Sequence, residues 1–203
     1  MEIYKGFGEA IGQAHYSIDL AWLLHSDNQL DAAEEAAFRA IDLLPEEGEQ
    51  FRVCESHRIL GEIYQSKGET EKAIHHYEAA IGIASSFDWY DNLFWAHYRL
   101  AGLFRDEGRL DDAQAHVEHT RSYTADNPYY LGYSMEEQAW VWFEQCRFEE
   151  ARSEALRAAN VYEKFGATKR TEECRTIIQR IQEELDGSFV SGQSTLSRGC
   201  EPL

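Results

Sequence analysis

Apolar residues return at three- and four-residue intervals through most of this chain, the period of amphipathic helices rather than the alternation of strands. The pattern is clearest from His57 to Ala80, HRILGEIYQSKGETEKAIHHYEAA. Leu60, Gly61 and Tyr64 share one face of a first helix, and Ala73, Tyr77 and Ala80 share one face of a second. Gly68 lies between them, free to enter the left-handed conformation that ends a helix and reverses the chain. Small Gly61 and Ala73 let the two backbones approach, while Tyr64 and Tyr77 supply large apolar plates. A hairpin of this kind cannot bury its apolar face alone, so it predicts packed neighbours on both sides.

Three further stretches repeat the design. The first has a helix from about Gly8 to Ser26 with Leu20, Ala21 and Leu24, a turn at Asn28, then a helix from about Leu30 to Leu44 with Ala33, Ala37 and Ala40, stopped by Pro45. The third copy starts near Trp89 with Leu100, Ala101 and Phe104, turns at Gly108, and continues with Ala113, Val117 and Thr120. After the break at Asn127-Pro128 the fourth shows Gln138, Ala139 and Trp142, then Cys146, then Ala151, Ala155 and Ala158, with Gln138 and Cys146 departing from the pattern. The alanines that open the second helices, Ala33, Ala73, Ala113 and Ala151, are spaced by 40, 40 and 38 residues. A last helix, Thr168 to Leu185, carries the stripe Cys174, Ile177, Ile178, Ile181 and Leu185, suited to cover the fourth hairpin. Met1 to Phe7 has no repeat character, and the Gly/Ser-rich residues 187–203 read as disordered.

The spacing x-L-G-x-x-Y followed by A-x-x-x-Y resembles the tetratricopeptide repeat (TPR), over about residues 15 to 185. That resemblance implies an all-α fold, a right-handed TPR superhelix (α-solenoid) of four helical hairpins at about 8–45, 49–86, 89–125 and 129–165, plus a C-terminal capping helix at about 168–185. The long repeat, with GETEKAIHHYEAAIGIA and GRLDDAQAHVEH, is similar to repeats of kinesin light chains and of fungal arrays that follow a STAND or NLR-type module. No G-x-x-x-x-G-K-[ST] phosphate loop exists in this chain, so any such module would lie elsewhere. The family implies a non-enzymatic scaffold that binds a protein or peptide in the concave groove lined by the first helices. The alternative is a self-assembly or autoinhibitory module of a larger signalling protein, working through an uncapped N-terminal end.

Stepping along the first helices beside the packing stripe gives the expected groove. The first hairpin contributes His15, Ile18, Trp22 and His25, and the second Glu55, Arg58, Glu62 and Gln65. The third contributes Trp95, Tyr98 and Arg105 around a gap at Gly102, and the fourth Tyr133, Glu136, Trp140 and Phe143. Trp22, Trp95 and Trp140 are the candidate anchors, because aromatic side chains bring large area at small rotamer cost. Glu55, Glu62 and Glu136 are expected to select positive charge. The carboxylate clamp of lysine, arginine and asparagine in chaperone-tail adaptors has no counterpart, since Ile18 and Trp22 stand at the matching first-hairpin positions and no lysine lies on the stripe.

Charge narrows the partner further. Acidic residues outnumber basic ones 37 to 19, giving a net charge of -18, which excludes nucleic acid and anionic membranes as expected ligands and permits a basic or amphipathic peptide. No apolar run is long enough to span a membrane and no signal peptide precedes the repeats, so a cytoplasmic protein is expected. Cys54, Cys146, Cys174 and Cys200 are widely spaced and read as reduced thiols. His75 and His76 diverge on a helix and cannot jointly hold a metal, and His116 and His119 share a face without further ligands and read as a surface pair on an outer helix, so no metal or cofactor is expected. No hydrolase or protease signature is present, and the chain reads as no enzyme.

Overall fold

Four hairpin turns of one construction organise the backbone, and the same construction recurs at Asp88 and Gly166. The computed structural model describes residues 2–45, 48–124 and 127–190. Every regular element among them is a helix: α1 (Glu2–Ser26), α2 (Leu30–Leu43), α3 (Gln50–Lys67), α4 (Thr70–Ser85), α5 (Tyr90–Asp106), α6 (Leu110–Ser122), α7 (Pro128–Glu144), α8 (Phe148–Lys164) and α9 (Thr168–Val190). Asn28, Gly68, Gly108 and Cys146, each just past an odd-numbered helix, have φ of 59°, 73°, 73° and 60°. Behind each one, the next backbone N–H reaches back to close the helix: Gln29 to Leu24, Glu69 to Tyr64, Arg109 to Phe104 and Arg147 to Trp142, at 2.8–2.9 Å. The residue that donates then accepts from the alanine four positions on, Ala33, Ala73, Ala113 and Ala151, which starts the second helix. The alanine period in the sequence is therefore the period of the turn.

The chain divides into two compact units, Met1–Ala96 and His97–Leu203, with the boundary inside α5. In the first unit α1 pairs with α2 and α3 with α4, while α2 and α1 also pack on α3. Where α3 and α4 approach, a Cβ added to Gly61 would lie 2.6 Å from the Tyr77 ring, so only glycine fits beneath that fully buried tyrosine. In the second unit α7 packs on α6 and α8, and α9 packs on α8 and α7. Cys174, Ile177 and Ile181 of α9 are fully buried, Ile177 and Ile181 against Ala139, Phe143, Ala151 and Ala155, and Ile178 and Leu185 pack alongside. The terminal helix thus covers the apolar face of the last hairpin, which is how a helical stack ends without an exposed core.

Both ends of the helical region differ from expectation. Helix α1 starts at Glu2, not Gly8, since no proline interrupts EIYKGF and a glycine costs a helix only about 1 kcal/mol. Helix α9 continues to Val190, so 187–190 are helical, while 191–203, expected to be disordered, lie outside the described residues. Cys54 and Cys174 are buried free thiols, and burial pushes them up to about 11 and about 12, far from reactive thiolates. Cys146 is disulfide-bonded, a correction to the expectation of four reduced thiols.

Candidate functional site

Each odd-numbered helix turns one stripe to its hairpin partner and presents another beside it, and the candidate site is that second stripe. In the first unit Trp22 is 55% exposed on α1, and His25 bonds Ser66 Oγ at 3.0 Å. His15 Nε2 stands 3.5 Å from a Glu49 carboxylate oxygen. Ile18 is only 4% exposed and belongs to the core, which removes it from the groove. On α3 the charged candidates are ion-paired within the helix: Arg52 donates to Glu55 at 2.7 Å and Arg58 to Glu62 at 2.8 Å. Gln65 accepts from the Tyr77 hydroxyl at 3.0 Å, and half-buried Trp95 of α5 stands edge-on to Phe94 at 5.3 Å.

The second unit builds a denser wall. Tyr98 and Tyr133 meet edge-to-face at 5.4 Å, and the Arg170 guanidinium lies 4.6 Å over the Tyr133 ring. Glu136, buried, accepts from the Tyr162 hydroxyl at 2.7 Å and from Arg170 at 3.2 Å. Its neighbour Glu137, also buried, accepts from Arg105 at 2.6 Å. Burial raises the carboxyl of Glu136 above its ordinary range and pushes that of Glu137 up to about 7, against the pull of the arginines. Trp140 is half-buried, with Arg105 and Arg180 at 5.8 and 4.9 Å over its ring. Gly102 leaves space here, because an added Cβ would come no closer than 3.8 Å to the Glu137 carboxylate. Phe143, 3% exposed, is core and not groove.

Two corrections follow from this geometry. Glu55, Glu62 and Glu136 are already ion-paired within the chain, so they are satisfied charges and not bare carboxylates. The histidine pair read as a surface pair is so in one member only: His119 is exposed, whereas His116 is half-buried and bonded to His97, and His76, 8% exposed, is bonded to His57 in the same way. Glu137, Arg170 and Arg180 were missed as members of the wall. The two arginines come from the capping helix, whose polar face the sequence presents only as a charged stripe. Among the described residues no three His, Cys, Asp or Glu are placed to hold a metal, and no helix is long and apolar enough to cross a membrane.

Comparison with known proteins finds likenesses to this geometry. Residues 59–87 match the family model of the tetratricopeptide repeat. No curated protein matches the chain. Among solved structures it is similar to aspartyl phosphate phosphatase F from Bacillus subtilis, with a TM-score of 0.80 at 13% identity over 90% of this chain and 48% of that one, so it spans about half of that protein. It is also similar to BtubC from P. vanneervenii (TM-score 0.64, 14% identity, 92% and 93% of the two chains). A third likeness is to the kinesin light chain nearly identical TPR-like repeats of Podosopora anserina (0.58, 17%, 84% and 95%). At these identities the likeness is one of fold.

Proposed function

We propose that this tetratricopeptide-repeat chain is a non-enzymatic interaction scaffold that holds a peptide or partner segment against the inner faces of its odd-numbered helices. The observation that carries the reading is the wall of the second unit, where Tyr98, Tyr133 and Trp140 present aromatic surface while Arg105, Arg170, Glu136 and Glu137 satisfy one another. A segment with apolar side chains and hydrogen-bonding backbone suits such a wall, because aromatic plates anchor it and the paired charges need no counter-ion from it. Amphipathic character in the partner follows from the same balance. The overall acidity of the chain still steers basic partners at long range. The cytoplasm is the compartment that this reading assumes.

Gly102→Leu tests the proposal without removing any packing contact. The new side chain gains helix propensity of about 1 kcal/mol, and its Cβ makes ordinary contact, at 3.8–3.9 Å, with the Glu137 carboxylate and the Arg105 guanidinium. A captured partner should be lost by this variant while helicity and melting temperature are kept or raised. Retention of the partner at full affinity would move the interface off this wall.

A second reading has its own observation: Tyr16 and Leu23 of α1, two turns apart, are 67% and 57% exposed beside Trp22. Self-association through that face would show as a solution mass that grows with concentration and is restored to monomer by Leu23→Lys. A constant monomer mass at high concentration would dismiss it.

A further inference from the structure

Four buried or half-buried histidines make two contacts of a kind that needs a proton count. His57 of α3 and His76 of α4 bring their Nδ1 atoms to 3.0 Å, and His97 of α5 and His116 of α6 bring theirs to 2.8 Å. The two contacts are copies, since His57 and His97, like His76 and His116, are 40 residues apart, one full repeat. Each joins the two helices of its own hairpin. Two Nδ1 atoms at this distance share a single hydrogen: one ring donates Nδ1–H, and the other accepts on a bare Nδ1 and carries its hydrogen on Nε2. A first added proton lands on the donor's Nε2 and keeps the bond, but places a charge in a poorly solvated site. A second lands on the accepting Nδ1 and sets two N–H bonds and two positive charges head to head.

We infer that the two pairs are proton-operated clasps, each closing its hairpin with one shared hydrogen at neutral pH and releasing it when the accepting nitrogen is protonated. The surroundings are built to keep the rings neutral. Around His57–His76, Glu34 of α2 favours charge, while His75 and Lys72 of α4 oppose it; Tyr64 of α3 stacks on His76 at 5.3 Å and Phe38 of α2 meets it edge-on at 5.9 Å. Around His97–His116, Asp112 of α6 favours charge, while His119 of α6 and Arg109, just before that helix, oppose it; Phe104 of α5 stacks on His116 at 5.2 Å and His119 on His97 at 4.6 Å. The nitrogens that face each other are also the beginning of a metal site, yet among the described residues no third ligand completes one.

Burial, before any neighbouring charge, lowers His57 and brings His76 and His116 down to about 4 and His97 to about 3. These folded values lie below the ordinary imidazole value, so the open form takes up protons first. Closure is therefore fully stable above about pH 6.5 and is lost as pH falls toward the folded values, with the opening constant rising about tenfold per pH unit for each proton taken up. Other groups act differently in the same range. Glu137, raised by burial, works in the opposite direction, and Asp31 and Glu34, lowered by Lys67, weaken only below the usual carboxylate range.

The test compares the full chain with His76→Asn/His116→Asn, in which an amide N–H replaces each imidazole nitrogen without titrating. Urea unfolding is followed by far-UV circular dichroism from about pH 7 to pH 5, the range in which free imidazole titrates. The wild-type unfolding constant should rise with acidification at least about tenfold per pH unit more steeply than that of the variant. Parallel profiles would overturn the proposal. Should the variant not fold, nitrogen-15 spectra of the wild-type side chains decide: opposite tautomers within each pair and no titration of His76, His97 and His116 above about pH 5 support it, and ordinary titration of any of these three rings sinks it.

Discussion

In hairpin α3–α4 the backbones come closest where Gly61 meets the Tyr77 ring, at positions 7 before and 9 after the turn residue Gly68. In hairpin α7–α8 the same meeting recurs as Gly132 against Tyr162, but at positions 14 before and 16 after Cys146, seven residues further out on both helices. At the register of Gly61 and Tyr77, the last hairpin has Ala139 and Ala155, both fully buried. Closing the turn and filling the interior are thus separate problems. The turn geometry is the same in both, whereas the site of closest approach slides by two helical turns, to where α9 supplies a lid. The interiors also differ in polarity. Glu136, Glu137 and Gln138 are three consecutive buried polar residues on α7, and each has a partner: Tyr162 and Arg170, Arg105, and Gln114, the last at 2.6 and 3.0 Å. On α3 a single buried carboxylate, Glu62, stands among Ile59, Leu60, Ile63 and Tyr64, and it is paired with Arg58 of the same helix at 2.8 Å.

Removing the ring breaks this comparison most severely. Tyr77→Ala and Tyr162→Ala should each cost about 3–5 kcal/mol in urea unfolding, as for other buried aromatics. The second should cost more, because Glu136 loses a donor in a buried site, about 1–3 kcal/mol by itself. Equal losses would show that the carboxylate network adds nothing to packing.

Adding one carbon sharpens the same contrast. Gly61→Ala and Gly132→Ala place a Cβ at 2.6 and 2.8 Å from ring carbons of buried tyrosines that have no room to swing away, and should destabilise by about 1–3 kcal/mol despite better helix propensity. Gly102→Ala, with space around it, should instead stabilise by about 0.5–1 kcal/mol. The smallest effect is one of slope. Because burial raises Glu137 to about 7, its proton binds more tightly in the folded chain than in the unfolded one. Its contribution is complete below about pH 4.5 and lost as pH rises through about 7, and Glu137→Gln should remove that loss, seen as a flatter decline in stability across the interval.

The turn chemistry was legible because it is local: a left-handed residue and an alanine five positions on mark each hairpin, even where the residue is Asn28 or Cys146. The capping stripe of α9 was legible for the same reason. The groove was less so. A helix advances about 100° per residue, so stepping three instead of four swings a side chain about 60° back toward the packing stripe. Ile18 and Phe143 were reached by such steps and sit in the core beside Ala14 and Ala139. Tyr133 and Trp140, a full seven residues apart, stayed together on the wall with Arg105 and Arg170. The histidine pairs lay beyond a helix-by-helix reading, since each contact crosses between helices. Their one sequence signal is the recurrence of both partners after 40 residues.

The reliance of Glu136 on Arg170 has a consequence during synthesis. The turn bonds at Asn28, Gly68 and Gly108 join residues only a few positions apart, so each can form as soon as its helices leave the ribosome. Glu136 must wait for a guanidinium 34 residues downstream, and the face of α7–α8 that Ile177 and Ile181 later seal is meanwhile open to water. The nascent chain therefore leaves this face open to misassociation between completion of α8 and arrival of α9.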